Sequence, residues 1–272
     1  MDSMLCIPSP KKGSHKGQNG VALIIGGSKT YHGAPVLAAL AAMRFCDLVY
    51  FHSTQENMQV LKRMKAATPN VICVGRGRLA FALAHATCVL VGNGMEVDGQ
   101  TKKILSRILK SGKRCVIDAA ALRCLPLSLL HKNAILTPHS REFEACFSLP
   151  ANAKNAKAMS EKYCCTVLLK GESDFVASQG RLIAVEGGSP GMTKGGTGDA
   201  LAGLACALFS NCPDPLRAAY TASVMNKRAG ELLHRIFGPH FCSEDLVDEL
   251  PFVAISLRHA PFINNKRGFL KA

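Results

Sequence analysis

The sequence predicts an α/β fold with a mostly parallel central sheet and helices on both of its faces. Three observations predict it. Short apolar runs alternate with helix-like runs along most of the 272 residues, the pattern of right-handed βαβ crossovers. The apolar runs are short and bounded by glycine and polar residues, as strands covered on both faces are. Polar and glycine-rich stretches fall after the runs, where open α/β sheets bind their ligands.

Residues 20–27 (GVALIIGG) read as a first strand ending in glycines, and 34–45 have the length and composition of a helix. Residues 48–53 (LVYFHS) form the next strand, 55–66 an amphipathic helix with Met58, Leu61 and Met64 to one side, and 70–75 a third strand. A short helix over 79–86, a strand over 88–92, a helix over 100–111 and a strand over 114–119 continue the alternation. After 127–131 come a strand over 134–138, a helix over 151–164 and the β-branched and leucine strand 166–171 (TVLLKG). Residues 175–186 read as a hairpin turning at Gln179 and Gly180. The C-terminal part closes with helices over 199–210, 214–237 (Pro215 at the first helical position) and 243–250. With no linker, repeat or low-complexity segment, residues 1–272 are expected to form one domain, frayed at 1–12 and 264–272.

Composition narrows the function. The net charge of +14 comes from dispersed lysines and arginines and suits a protein that handles anions. Aromatic residues are few, there is no Trp, and no RNP, zinc-finger or helix-turn-helix pattern occurs, so nucleic acid is not expected as a partner. The 12 cysteines are spread through apolar segments without CxxC or interleaved Cys/His spacing, so reduced, mostly buried thiols are expected rather than metal ligands. Residues 1–19 lack the apolar core of a secretory signal, and the apolar stretch 34–43 is too short to span a bilayer. A soluble, cytoplasmic protein is expected, with no membrane partner.

The stretch 187–203, GGSPGMTKGGTGDALAG, stands out. Six glycines precede an apolar, alanine-rich helix whose first turn holds Asp199. A helix N-terminus has unpaired N–H groups and positive dipole character, and glycines let a phosphate approach the backbone. The same letters also fit a plain turn with an ordinary first-turn carboxylate. No Walker A sequence, GxGxxG spacing after the first strand, HExxH or GxSxG element is present.

Six segments in order carry a resemblance: HKGQNGVALIIGGSKTYHGAPVLAALAAMR, VLVGNGM, CVIDAAAL, ILTPHSREF, VLLKGESD and SPGMTKGGTGDALAG. Together they resemble the ribokinase-like superfamily and, within it, the ADP- or ATP-dependent NAD(P)H-hydrate dehydratase family. The resemblance implies a three-layer sandwich. It also implies metabolite repair: ATP or ADP, with Mg2+, phosphorylates the hydroxyl of a hydrated nicotinamide ring, and phosphate then leaves to restore NADH or NADPH. Carried over motif by motif, Asp199 is the catalytic base and a substrate contact, and Ala34, Gly94 and His139 contact the hydrated dinucleotide. Lys170, Gly171, Glu172, Ser173 and Asp174 line the AMP portion. The loop Ser189, Pro190, Gly191, Met192, Thr193, Lys194, Gly195, Gly196, Thr197 and Gly198 cradles the phosphates. No metal ligands can be named. The resemblance further implies a homo-oligomer and an epimerase supplied by another chain.

On the residues alone, His139 also reads as a polar turn residue, Lys170 as a strand-end lysine in solvent, residues 33–35 as a helix start and Asp118 as a turn carboxylate. The chain departs from the family's usual letters at Asn93, Glu96, Ala120, Ser140, Arg141, Thr193 and Lys194. Lys194 is expected to add positive charge beside the phosphates. A ribokinase-like kinase of a small alcohol, of the hydroxymethylpyrimidine or hydroxyethylthiazole type, shares the GTGD loop. A non-catalytic nucleotide-binding protein is the third reading.

Overall fold

The computed structural model describes residues 4–64 and 69–259. The expected helix end at Ala66, the Met64 side chain and the segments 1–3 and 264–272 lie outside the described residues. In chain order the elements are β1 (Val21–Ile25), α1 (Gly33–Ala42), β2 (Leu48–His52), α2 (Gln55–Met64), β3 (Val71–Cys73), α3 (Leu79–His85), β4 (Cys88–Val91), α4 (Gly99–Lys110), β5 (Arg114–Ile117) and α5 (Ala120–Arg123). They continue as β6 (Ala134–Leu136), α6 (Ser140–Phe147), α7 (Ala153–Lys162), β7 (Thr166–Leu169), β8 (Asp174–Ser178), β9 (Arg181–Val185), α8 (Thr197–Asn211), α9 (Pro215–Phe237) and α10 (Ser243–His259).

The strands form one nine-stranded sheet in the order β3-β2-β1-β4-β5-β6-β7-β8-β9, in which β1 to β7 pair in parallel and β8 runs antiparallel to both its neighbours, β7 and β9. Strand order reverses between β1 and β4, which opens a crevice at their carboxyl ends. Alternate strand residues serve opposite faces. Ala22, Ile24, Leu90 and Val116 pack with α1, α8, α9 and α10, while Leu23, Ile25, Val89 and Ile117 pack with α3, α4, α6 and α7. The result is the expected three-layer α/β sandwich. The hairpin at Gln179 and Gly180 forms as expected, both residues at positive φ (48° and 79°).

Several expectations fail for identifiable reasons. Helix α6 was not expected, because its cap is His139 rather than Ser, Thr, Asp or Asn; the imidazole accepts from Glu142 N and the Glu142 carboxylate accepts from His139 N, closing a capping box. Helix α10 continues past Pro251, where the sequence reading ends it at 250. An internal proline costs about 3 kcal/mol. Full burial of Val253 returns roughly 1.5–3 kcal/mol, and Ala254 is buried beside it. Residues 4–7 are not frayed: Leu5 and Ile7 are buried, Cys6 N donates to Thr221 Oγ1, and the Arg217 guanidinium binds the Met4 and Leu5 carbonyls. All twelve cysteines are free thiols, of which five are buried.

Candidate active site

Helix α8 begins at Thr197, so Asp199 is its third residue, in the first turn as expected. Gly196 caps the helix at φ 94° without a side-chain hydrogen bond. A side chain there would face left-handed strain, and its Cβ would strike Leu37 and Ser243. Further along, a Cβ on Gly203 would lie 2.1 Å from the Ala38 carbonyl. Glycine therefore lets α8 lie against the backbone of α1, and this approach sets where Asp199 stands.

Asp199 is half-buried and belongs to a network drawn from four strand ends. Asn93, just past β4, donates from Nδ2 to Asp199 Oδ1 at 2.6 Å and to Asp118 Oδ2 at 2.9 Å. Asp118, just past β5, also accepts from Thr137 Oγ1 at 2.8 Å and Lys170 Nζ at 3.0 Å. Lys170, just past β7, lies 3.8 Å from Glu142 Oε2 as well. Burial, with the charge of Asp118 behind it, pushes the Asp199 carboxyl up to about 6; the Asn93 hydrogen bond and Lys170 pull the other way, and Glu142 adds to the rise. Burial works against the Lys170 charge, but Asp118 and Glu142 outweigh it and hold the ammonium above its usual range. The Asp118 turn continues into Ala119 at φ 49°, ψ −126°, a conformation costing about 1–3 kcal/mol in a non-glycine residue.

The substrate-side candidates adjoin this network. A Cβ on Gly94 would lie 3.3 Å from the Ala34 Cβ and 3.1 Å from the Tyr31 Cβ, so the loops after β1 and β4 meet at these residues. His139 is exposed and bridges to Lys170 in a parallel pair. It is thus both the α6 cap and a neighbour of the network, more than a polar turn residue. Lys170 and Asp118 do not follow the bland readings either: one is an ion-paired lysine with only 18% of its side chain exposed, the other a buried acid.

On the other side of Lys170 lies a cavity of about 580 Å³. Of the nucleotide candidates, Lys170, Gly171, Glu172, Asp174, Ser189, Pro190, Met192, Thr193, Thr197 and Gly198 line it. Ser173, Gly191, Lys194, Gly195 and Gly196 do not. Ser173 donates to Glu186 instead, and Gly191 packs on the Phe241 ring. Lys194 is exposed, and its Nζ donates to the Phe241 carbonyl at 2.6 Å. Two cavity residues have their side chains committed to shaping the loops. The Asp174 carboxylate accepts from Gly171 N and Ser223 Oγ, and the Thr197 hydroxyl bonds the Met192 and Lys194 carbonyls.

A second cation of the cavity, in addition to Lys170, was missed. Lys227 of α9, 5% exposed, donates from Nζ to the carbonyls of Gly171 (3.1 Å), Glu172 (2.7 Å) and Gly187 (3.2 Å), with Asp174 Oδ1 at 3.5 Å. It ties together the two loops that form the cavity's lips. A buried ammonium is tolerable only when so paired. Its signal in the sequence is the pair Asn226–Lys227 set among buried small and apolar residues of α9, from Ala222 and Met225 to Ala229 and Gly230. Of the altered family positions, Asn93 lies at the centre of the network, whereas Glu96, Ser140 and Arg141 are exposed.

A family model described as NAD(P)H-hydrate dehydratase matches residues 22–251. The chain is similar to the ADP-dependent (S)-NAD(P)H-hydrate dehydratase of Nitrosopumilus maritimus, 37% identical over 91% of this chain and 92% of that protein. Among solved structures it is similar to a ribokinase-like superfamily protein of Enterococcus faecalis, with a TM-score of 0.84 and 23% identity over 92% of each chain. It is also similar to the ADP/ATP-dependent NAD(P)H-hydrate dehydratase of Bacillus subtilis co-crystallised with ATP and Mg2+, with a TM-score of 0.80 and 24% identity over 91% of this chain and 93% of that one.

Proposed function

We infer that this chain, which belongs to the NAD(P)H-hydrate dehydratase family, is an enzyme that repairs hydrated NADH and NADPH at the expense of ADP or ATP. The observation that carries the reading is the position of Asp199. It stands at the N-terminus of α8, between the cavity bounded by Gly198 and Lys170 and the loops that bring Ala34 and Gly94 together.

In this reading the nucleotide occupies the cavity, its AMP portion along Lys170, Gly171 and Glu172 and its phosphates along Ser189, Thr193 and Gly198. The hydrated nicotinamide lies on the Ala34, Gly94 and His139 side. Asp199 takes the proton of the ring hydroxyl as that oxygen attacks the terminal phosphorus. A bond from oxygen to phosphorus forms, and the bond to the departing nucleotide breaks. The N-terminus of α8 stabilises charge on the transferring group, and the pre-set geometry removes the entropy cost of bringing the reactants together. Phosphate then leaves with the electrons of the ring C–O bond, and loss of a ring proton restores the double bond.

Among the described residues, no group of three or more His, Cys, Asp and Glu side chains could hold a metal. A magnesium ion carried on nucleotide phosphates needs few protein ligands. No protein ligand is assigned to it, and its chemistry would be charge neutralisation on the phosphates.

The test is direct. Purified protein is given hydrated NADH with Mg2+ and either ADP or ATP, and the reduced-nicotinamide absorbance is followed. Its return is the expected result; no return with either nucleotide would sink the reading.

A further inference from the structure

Asn93 lies at the β1/β4 crevice and is wholly buried. Its backbone carbonyl accepts the Gly27 N–H at 2.7 Å, which pins the loop after β4 to the end of β1. Both protons of its side-chain amide go to acids, at 2.9 Å to Asp118 and 2.6 Å to Asp199. Charge decides this orientation, because the flipped amide would turn its oxygen toward two carboxylates.

The amide oxygen, in turn, is buried without a partner among the described residues. Leaving a buried acceptor unpaired costs about 1–3 kcal/mol. The two bonds to carboxylates are charge-assisted and roughly twice as strong as neutral ones, which offsets that cost. The amide is therefore held in place by the pair of acids that it bridges.

Other groups face Asp199, but none replaces this contact. Asp118 comes from the end of β5, Lys170 from the end of β7 and Glu142 from α6, with the His139 imidazole 3.6 Å beyond Glu142. Lys170 gives its hydrogen bond to Asp118. Among the described residues, Asn93 is the one donor to the Asp199 carboxylate, and it uses Oδ1 while Oδ2 accepts no hydrogen bond.

We propose that Asn93 is the positioning residue of the catalytic base. Its amide fixes which Asp199 oxygen meets the substrate hydroxyl, and it keeps that carboxylate ionised at neutral pH although Asp118 and Glu142 crowd it with like charge. The proposal rests on the role given above to Asp199. A donor to the ionised form favours that form, so removing it moves the Asp199 titration upward.

Asn93→Leu and Asn93→Ala both abolish donation, one with the same branching and number of side-chain heavy atoms and one with less steric demand. The first measurement needs no substrate: a carbon-13 NMR titration of the Asp199 carboxyl, assigned with Asp199→Asn. The midpoint is expected near pH 6 in the unaltered protein and about one pH unit higher in either variant. An unchanged midpoint in a folded variant overturns the proposal, and Asn93→Ala decides it if Asn93→Leu does not fold. The second measurement is kinetic. The kcat is expected to fall about twofold at pH 7 and about tenfold at pH 5, and to recover toward the unaltered value by pH 9, with nucleotide Kd unchanged. An equal loss at every pH overturns the proposal. If the unaltered protein is inactive on hydrated NADH, the functional reading fails alone, since the carboxyl titration still decides the place of Asn93.

Discussion

At the scale of single residues, Asp199 sets a conflict between activity and stability. Its carboxyl is raised to about 6 in the fold, first by burial and then by Asp118, from an ordinary value of 3.8. A base must be ionised, so kcat is expected to fall as pH drops through about 6. Stability runs the other way. An acid whose folded pKa exceeds its unfolded one penalises the folded state when ionised; the penalty is full above the folded value and gone below the unfolded one. Asp199→Asn is therefore expected to retain nucleotide binding, to lose about 10²–10⁴ in kcat and to gain roughly 1–3 kcal/mol of stability at pH 7.5. The gain should vanish at about pH 2.5, well below the ordinary value of 3.8, where Asp199 is protonated in both states. Thermal melts at the two pH values, beside nucleotide titrations, check this; a variant equally stable at both pH values, or one with near-normal turnover, would contradict it.

Among the elements, α9 acts as the spine of the cavity proposed to take the nucleotide. Lys227 fastens the loop after β7 and the loop after β9 to this one helix through three carbonyls. Lys227→Met is expected to raise the nucleotide KM about tenfold while changing kcat less, since the side chain touches loops and not the reacting atoms. It also leaves Asp174 without its counter-charge, a loss of about 3 kcal/mol or more. Steady-state kinetics over a nucleotide series, with melts in its absence, separates the two effects; a change confined to kcat would overturn the assignment. These contacts also explain why sequence reading stopped where it did. Strands such as Val21–Ile25 and Cys88–Val91 are buried at every position and announce themselves as apolar runs. Helix α6 hides behind a histidine cap, and α10 behind a proline that packing tolerates. Lys227 binds backbone carbonyls, which no side-chain pattern advertises.

For the whole molecule, charge and topology matter most. The +14 net charge suits an enzyme proposed to bind two anionic molecules at once, and a field of that sign steers them toward the crevice. kcat/KM for hydrated NADH is expected to fall several-fold between about 0.05 and 0.5 M salt, where screening shortens to a few ångströms. A salt-independent value in a stopped-flow or initial-rate series would remove steering from the account. The motif order was readable because each segment follows its own strand, which is why Asp199, Gly94 and Lys170 could be placed near one another from letters alone. What could not be read was the bond between Asn93 and Asp199, partners 106 residues apart. That separation bears on how the protein is made. Chain synthesis delivers Asn93 early, as it leaves β4, yet its partner arrives only when the start of α8 emerges; the Asp118–Lys170 pair, 52 residues apart, lies inside that interval. A fragment ending before α8 lacks Asp199, the proposed base. In the proposed reading, a growing chain that has not yet added α8 cannot turn over nucleotide through Asp199.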